Sequence, residues 1–424
     1  MRNLKLVRQT SVILTALTLN LLHLPISAAP PAAKSYIVVL KSGTDSVETA
    51  VEHASKYAFD VDFTYRSALK GYAARIPEQR LSMLKNDPRV LFISEDLPVR
   101  ITAQTLPTGV NRIQGDVSST QSGNGSGSTN VAVAIIDTGI NTSHPDLNVV
   151  GGTSCIRGSK SYNDGNGHGT HVAGSVAAKD NADGVVGVAP GTPLYAVRVL
   201  DSRGSGTTSS VICGIDWVTA NAASKNIKVA NMSLGGAGVD DGNCGKTNND
   251  AQHQAICNSV AAGVNYIVAA GNEGKDLANS IPAAYNEVLT VTAIADFNGQ
   301  PGGGATATCR ADVDETAAEF SNFTTIGSND AVHTIAAPGV CINSTWLNGG
   351  YNTISGTSMA SPHVAGVAAL CIASGSCANM TPQQMITKLR NDAAAQSTSY
   401  GFKDDPSAPN GNRYYGNLVY TGGY

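Results

Sequence analysis

Charged residues are few in this chain: Lys, Arg, Asp and Glu supply 14% of 424 residues, and the formal net charge is only −4. A chain without a basic excess has no electrostatic footprint for a phosphate backbone, so nucleic acid is not an expected partner. Long apolar runs are missing beyond residue 24, so no later segment suits a bilayer and no membrane partner is expected. Cysteine does not occur before Cys155, and the absence of any Cys-x-x-Cys argues against a zinc site. His-Glu-x-x-His is absent too. The nearest pattern, His168-x-x-His171, lacks the glutamate and sets its imidazoles three positions apart instead of four. Asp137-Thr138-Gly139 has no second copy, so the paired carboxylates of an aspartic peptidase cannot be assembled. Gly356-x-Ser358 has Ala360 where the nucleophile elbow of α/β-hydrolases needs a second glycine. No motif calls for an organic cofactor, and no internal repeat is present.

What is present falls into three stretches. Residues 1–29 carry Arg2, Lys5 and Arg8, then the mostly apolar Ser11–Leu24 and the small residues Ser27-Ala28-Ala29, which is the pattern of a signal peptide. Residues 30–102 have another texture, with ten basic and nine acidic residues. The pattern predicts strands at Tyr36–Leu40, Val61–Tyr65, Gly71–Ile76 and Val90–Ser94, with helices at Asp45–Lys56 and Gln79–Lys85. That order fits a small ferredoxin-like α+β domain. Residues 103–424 keep 15 basic and 23 acidic residues, a net charge of about −8 that suits a soluble, secreted protein. Their length allows one large α/β core, and a monomer is expected. All eight cysteines lie in this stretch, and an even number in an exported chain reads as disulfides. Eight cysteines allow 105 pairings. Cys244–Cys257 and Cys371–Cys377 are the preferred local bridges, followed by Cys309–Cys341 and Cys155–Cys213.

Three segments carry chemistry. Val131–Gly139 is an apolar run that stops at Asp137, which predicts a buried parallel strand with an acid at its carboxyl end, where sites in open α/β sheets gather. Asn166–Gly174 sets His168 between glycines at the mouth of a small-residue helix. Gly356–Gly366 sets Ser358 after a Gly-Thr turn at the head of an apolar helix, where backbone N–H groups stabilise developing negative charge. A serine hydroxyl needs an imidazole to take its proton, and the imidazole needs a carboxylate to fix its tautomer. The segments IIDTGINTSHPD, NGHGTHVAG and GTSMASPHVAG, in that order, resemble the motifs of the subtilisin-like serine peptidases (subtilases). The resemblance covers nearly the whole chain from Tyr36. It implies a mostly parallel central sheet with helices on both faces, and a secreted serine endopeptidase acting on proteins and peptides. Asp137, His168 and Ser358 would form the triad, and Asn272, closing the apolar run Tyr266–Ala270, would donate to the oxyanion. His144, His171 and His363 are expected to be structural.

The same resemblance places the substrate cleft at Gly204-Ser205-Gly206 and at Ser233-Leu234-Gly235-Gly236. The pocket before the scissile bond would run between Gly235 and Ala270-Gly271, with Glu273 near its rim. No acid marks a pocket floor, so broad cleavage leaning to apolar residues is expected, rather than specificity for basic ones. Residues 30–102 would act as intramolecular chaperone and inhibitor, removed at Thr102–Ala103 by the enzyme itself. A calcium loop is implied at 179–185, with Asn181 as side-chain ligand, carbonyls from Lys179, Asp183 and Val185, and Gln104 and Asp146 closing an oxygen shell. Two stretches exceed the common core: Ala237–Cys257, and Phe297–Phe320, whose Asp312, Asp314, Glu315 and Glu319 read as a solvated surface loop. Sequons stand at Asn322, Asn343 and Asn379. A catalytically silent scaffold would lack a triad or oxyanion residue, and none is lacking.

Overall fold

The computed structural model describes residues 34–96 and 104–424. The expected leader and the expected processing point at Thr102–Ala103 lie outside the described residues. The chain forms two compact units, one on either side of Ile101–Thr102.

In the first unit, strands β1 (Lys34–Leu40), β2 (Asp60–Tyr65), β3 (Gly71–Ile76) and β4 (Val90–Glu95) alternate with helices α1 (Ser46–Tyr57) and α2 (Glu78–Lys85). The sheet order is β2-β3-β1-β4, antiparallel throughout. Asp45 lies just before α1 and caps it, its carboxylate accepting the amides of Val47 and Glu48. The α+β order read from the sequence is the one observed.

The second unit opens with a short helix, α3 (Thr108–Arg112), and is built on eight strands. β5 (Ala132–Asp137), β6 (Val149–Ser154), β7 (Leu194–Arg198), β8 (Ile227–Met232), β10 (Asn265–Ala269), β12 (Leu289–Ala295) and β15 (Thr334–Pro338) run parallel to their neighbours, while β13 (Thr316–Ala317) is antiparallel to β12. Three short antiparallel pairs lie outside this sheet: β9 (Gly236–Ala237) with β11 (Ser280–Ile281), β14 (Thr324–Thr325) with β18 (Arg413–Tyr414), and β16 (Ile342–Thr345) with β17 (Tyr351–Ile354).

Alternation along the strands feeds two cores. Val133, Ile135, Val229 and Ile267 point to the face covered by α4 (His168–Ala177) and α7 (Thr357–Ala373). Ala134, Ile136, Ala230, Tyr266 and Val268 point to the face covered by α5 (Thr208–Asn221) and α6 (Ala251–Ala261). Both faces being covered explains why residues 132–136 of β5 and 266–269 of β10 are apolar without interruption. Fourteen of the seventeen residues of α7 are buried, as a helix apolar all round must be. Small residues let it lie close, since a Cβ on Gly366 would stand 2.6 Å from Val188 Cβ. A further helix, α8 (Pro382–Ala394), starts from a Thr381–Gln384 capping box.

The four preferred disulfides are the four observed, Cys155–Cys213, Cys244–Cys257, Cys309–Cys341 and Cys371–Cys377. One expectation fails. The acids of the 297–320 stretch are not solvated: Asp312, Asp314 and Glu315 are buried, and only Glu319 is exposed. Asp314 accepts the amides of Phe297 and Ala305, and Glu315 takes a two-pronged bond from the buried Arg112 at 2.7 and 2.6 Å. A loop this long has many orphan amides, and inward carboxylates satisfy them. Asn322 is also wholly buried, which rules it out as a glycan acceptor. Among the described residues, no helix is long and apolar enough to cross a membrane.

Candidate active site

Asp137 ends β5 at the carboxyl edge of the sheet, fully buried. Its Oδ1 and Oδ2 lie 2.8 and 3.0 Å from His168 Nδ1, and Oδ1 also accepts the Thr138 amide at 2.7 Å. An ionised carboxylate only accepts, so Nδ1 carries the proton and Nε2 presents its lone pair. His168 is the first residue of α4, and Gly167 before it has φ 109°, a conformation that favours glycine. A Cβ at Gly167 would also strike Trp346 at 2.5 Å.

Asp164 holds this turn, a role the sequence motifs gave no sign of. Its Oδ1 accepts from Thr138 Oγ1, Asn166 N and Gly167 N, and its Oδ2 from Thr170 N and Oγ1. Burial presses the His168 pKa down. The charge and hydrogen bond of Asp137, with a further contribution from the Asp164 charge, outweigh that and raise it above its ordinary value.

Ser358 is the second residue of α7, and its placement depends on a residue four positions on. Pro362 sits inside the helix and has no N–H to give the Ser358 carbonyl. That carbonyl accepts instead from Ser233 Oγ at 2.8 Å, which locks α7 to the segment after β8. Asn231 and Ser361 complete the link, Asn231 Nδ2 donating to Ser233 Oγ and Ser361 Oγ to Asn231 Oδ1. The Ser358 hydroxyl itself donates to the Ser233 carbonyl at 3.3 Å. It makes no hydrogen bond with the imidazole in this rotamer.

Asn272 follows β10 and faces the same helix start. Its Oδ1 accepts from Thr357 N at 2.8 Å and Thr357 Oγ1 at 2.9 Å, and Thr357 Oγ1 in turn accepts the Gly271 amide at 3.1 Å. Those donors fix the amide's orientation and leave Nδ2 free beside Gly356. A Cβ on Gly356 would lie 3.7 Å from both Asn272 Nδ2 and Ser358 N, so the two candidate oxyanion donors flank one glycine that leaves room between them.

Two neighbouring hollows that share the Ser233–Ala237 wall adjoin these groups. The first, about 650 Å³, is lined by Asn166, His168, Gly204, Ser205, Gly206, Ser233, Leu234, Gly235 and Gly236. The second, about 330 Å³, is lined by Gly235, Ala270, Gly271, Asn272, Glu273, Lys275 and Ser358. Every cleft residue expected from the sequence therefore borders one of them. The sequence reading did not include Lys275 or the buried Asn322, whose Nδ2 donates to the Ala270 carbonyl and to Glu273 Oε2. No sequence signal marked Asn322, because its partners at the strand end lie 52 and 49 positions away.

His144, His171 and His363 make structural contacts. His171 Nε2 donates to the Ile342 and Asn352 carbonyls, joining β16 and β17, and burial pushes its pKa down to about 3. His363 Nδ1 donates to the Met359 carbonyl, and burial lowers its pKa to about 4. His144 bridges the Gly350 carbonyl and the Asp146 amide.

The six expected cation ligands gather on one side of the unit. Gln104 Nε2 donates to the Lys179 carbonyl at 2.8 Å and approaches the Val185 carbonyl at 3.5 Å. Asn181 Nδ2 donates to Asp146 Oδ1, and the Asp183 amide donates to Asn181 Oδ1. Burial raises the Asp146 pKa. Lys179 Nζ reaches the Pro145 carbonyl at 2.7 Å, so its charge is directed to a separate acceptor. The amide N–H groups thus stand beside carbonyl and carboxylate oxygens where a hard cation could sit. Turning the Gln104 amide over would present its oxygen, whereas Asn181 would first have to release the Asp183 amide.

Residues 128–417 match the family model described as the subtilase family, and residues 35–102 match the model described as peptidase inhibitor I9. Subtilisin NAT of Bacillus subtilis subsp. natto is 40% identical over 304 residues, spanning 71% of this chain and 70% of that protein. A thermostable alkaline protease of Halalkalibacterium halodurans is 38% identical over 345 residues, spanning 81% and 82%. Among solved structures, a cold-adapted subtilisin-like serine proteinase is 33% identical with a TM-score of 0.56, covering 74% of this chain and 97% of that one.

Proposed function

The chain belongs to the subtilase family of serine peptidases and carries an I9-type inhibitor domain, and from that premise we propose that it is a secreted, self-processed endopeptidase with a broad, apolar-leaning cleft. The observation that carries the reading is the Nδ1 contact at 2.8 and 3.0 Å between His168 and a buried carboxylate, at the edge of one hollow, with Ser358 on the neighbouring hollow that shares its Ser233–Ala237 wall. A fluorophosphonate probe should label Ser358 stoichiometrically. Absence of labelling in folded, processed protein would reject the assignment.

In this reading an extended peptide lies along Gly204–Gly206 and Ser233–Gly236 as an added strand. The Ser358 hydroxyl turns from the Ser233 carbonyl toward Nε2 and attacks the substrate carbonyl as His168 takes its proton. Asp137 holds the imidazolium while Asn272 Nδ2 and the Ser358 amide bind the oxyanion. His168 then protonates the leaving amine, and water releases the acyl group. Asn272→Ala should lower kcat by about 10²–10³, the scale known for subtilisin, with KM little changed. A comparable loss in KM alone would assign Asn272 to ground-state binding.

Glu273 and Lys275 both line the pocket, so their charges offset and no lone acid selects Lys or Arg before the scissile bond. Cleavage profiling on a peptide library should show apolar enrichment there, and dominance of Lys or Arg would refute it. The domain scheme proposed is residues 1–29 as leader, 30–102 as inhibitory pro-segment and 103–424 as mature enzyme, acting outside the cell.

Gln104, Asp146, Asn181 and the carbonyls of Lys179, Asp183 and Val185 would hold Ca²⁺, which ties the residues around Gln104 to the 179–185 loop and takes no part in the chemistry. Chelation should then lower the melting temperature, and added Ca²⁺ should restore it. At a free concentration 100 times Kd the ion contributes about 2.7 kcal/mol. A melt indifferent to chelator would remove the ion from the scheme.

A further inference from the structure

Asp240, Asp241 and His253 lie in and just beyond the loop between β8 and α6, and none belongs to the groups described above. His253 stands in the first turn of α6, capped by Asp250, and its side chain is wholly buried. Its Nε2 lies 2.8 Å from Glu287 Oε2, which places a proton on that nitrogen. Tyr285 covers the ring face at 4.0 Å with planes only 3° apart, and its hydroxyl donates to Asp250 Oδ2. The other nitrogen, Nδ1, is buried and makes no hydrogen bond. It faces Asp240 Oδ1 and Asp241 Oδ1, each 3.4 Å away. One imidazole thus meets three carboxylates, and among the described residues no Lys or Arg pairs with any of them. Even an imidazolium would leave negative charge in excess in a poorly solvated space.

We propose that Asp240, Asp241 and His253 form a binding site for a divalent transition-metal cation of the zinc class, with Glu287 orienting the imidazole from behind. A tetrahedral metal about 2.1 Å from its ligands sets them about 3.4 Å apart, the separation observed from Nδ1 to both carboxylates. The N–H of a ligating histidine usually goes to a carboxylate, as Nε2 does here. Both acids are held in place. Asp240 accepts Gly242 N and Asn286 Nδ2, and Asp241 accepts the amides of Asn243, Gly245, Thr247 and Asn248. Asp241 Oδ1 already takes two amides, so Asp240 and His253 are the principal donors and Asp241 closes the shell. Cys244 and Cys257 stand close but are joined to each other, so their sulfurs are not ligands. The ion would fix the 237–257 segment, which begins at β9 on the cleft wall.

The test uses metal-stripped full chain carrying Ser358→Ala, which prevents self-digestion, titrated calorimetrically with Zn²⁺. One site is expected. Its affinity should fall by about 100-fold or more in Asp240→Asn and by about 10-fold in Glu287→Gln, and be unchanged in His168→Gln, since the catalytic imidazole could also take zinc. Should the loop variants fail to fold, X-ray absorption of zinc-loaded Ser358→Ala, His168→Gln protein gives an independent reading. A shell of one imidazole with oxygens and no sulfur supports the site. Binding indifferent to Asp240→Asn, binding lost in His168→Gln, or no binding together with a protonated Nδ1 by nitrogen NMR at pH 7.5 would each overturn it. The last result would make His253 an imidazolium shared among carboxylates.

Discussion

Ser358→Ala is expected to lower turnover about 10⁶-fold, the loss subtilisin suffers without its serine, and to leave the precursor uncut. The substitution removes one oxygen whose single hydrogen bond, to the Ser233 carbonyl, is 3.3 Å long. The link between α7 and β8 runs instead through the Ser358 carbonyl, Ser233 Oγ, Asn231 and Ser361, and alanine keeps all of it. Stability should therefore change by less than about 1 kcal/mol, so a loss of activity cannot be blamed on unfolding. Kinetics on a peptide substrate, a thermal melt and a gel of the purified precursor check the three parts together. If the variant matured normally in a host without other peptidases, self-processing would be wrong even if the triad were right.

Asp137→Asn should cost about 10⁴ in kcat at neutral pH for a reason visible in the local bonds. The Thr138 amide donates to Oδ1 of residue 137, so an asparagine there keeps its oxygen toward Thr138 and turns its NH₂ toward His168. Nδ1 must then accept, the proton moves to Nε2, and the imidazole can no longer take the serine proton. The carboxylate also sets the pH dependence. His168 must be neutral to act as base, and its pKa is raised, so wild-type kcat/KM should fall with acidification through a value above the usual 6.5. The same raised pKa means the ion pair adds to stability at acidic pH and that this contribution is lost as pH rises through the folded value. In Asp137→Asn the acidic limb should move down. A pH–rate profile with the limb unmoved would show that another group controls it.

Much of this was legible from residue order because the motifs are local. Asp137 could be placed at a strand end because an apolar run stops there, and Ser358 at a helix start because a Gly-Thr turn precedes an Ala-rich run. Local turns also put the two short disulfides within reach. Asp164 was not legible, since its five hydrogen bonds go to residues whose roles emerge only when the His168 turn closes around it. The acids Asp312, Asp314 and Glu315 were misread for a related reason: composition shows charge, but not the buried amides and the buried Arg112 that the folded chain brings to it.

The sequence by itself determined which side chains can do chemistry and which elements carry them, because strand alternation, helix starts and turn residues are properties of neighbours along the chain. Tertiary structure alone decided the distances on which that chemistry depends: Nδ1 of His168 against Asp137, the Ser358 carbonyl released by Pro362 and taken by Ser233, and Nδ1 of His253 between two aspartates. Such contacts join residues from about a dozen to more than a hundred positions apart, and no local pattern specifies them. They follow from how a twisted parallel sheet, covered on both faces, brings the ends of separate strands and helices to one edge.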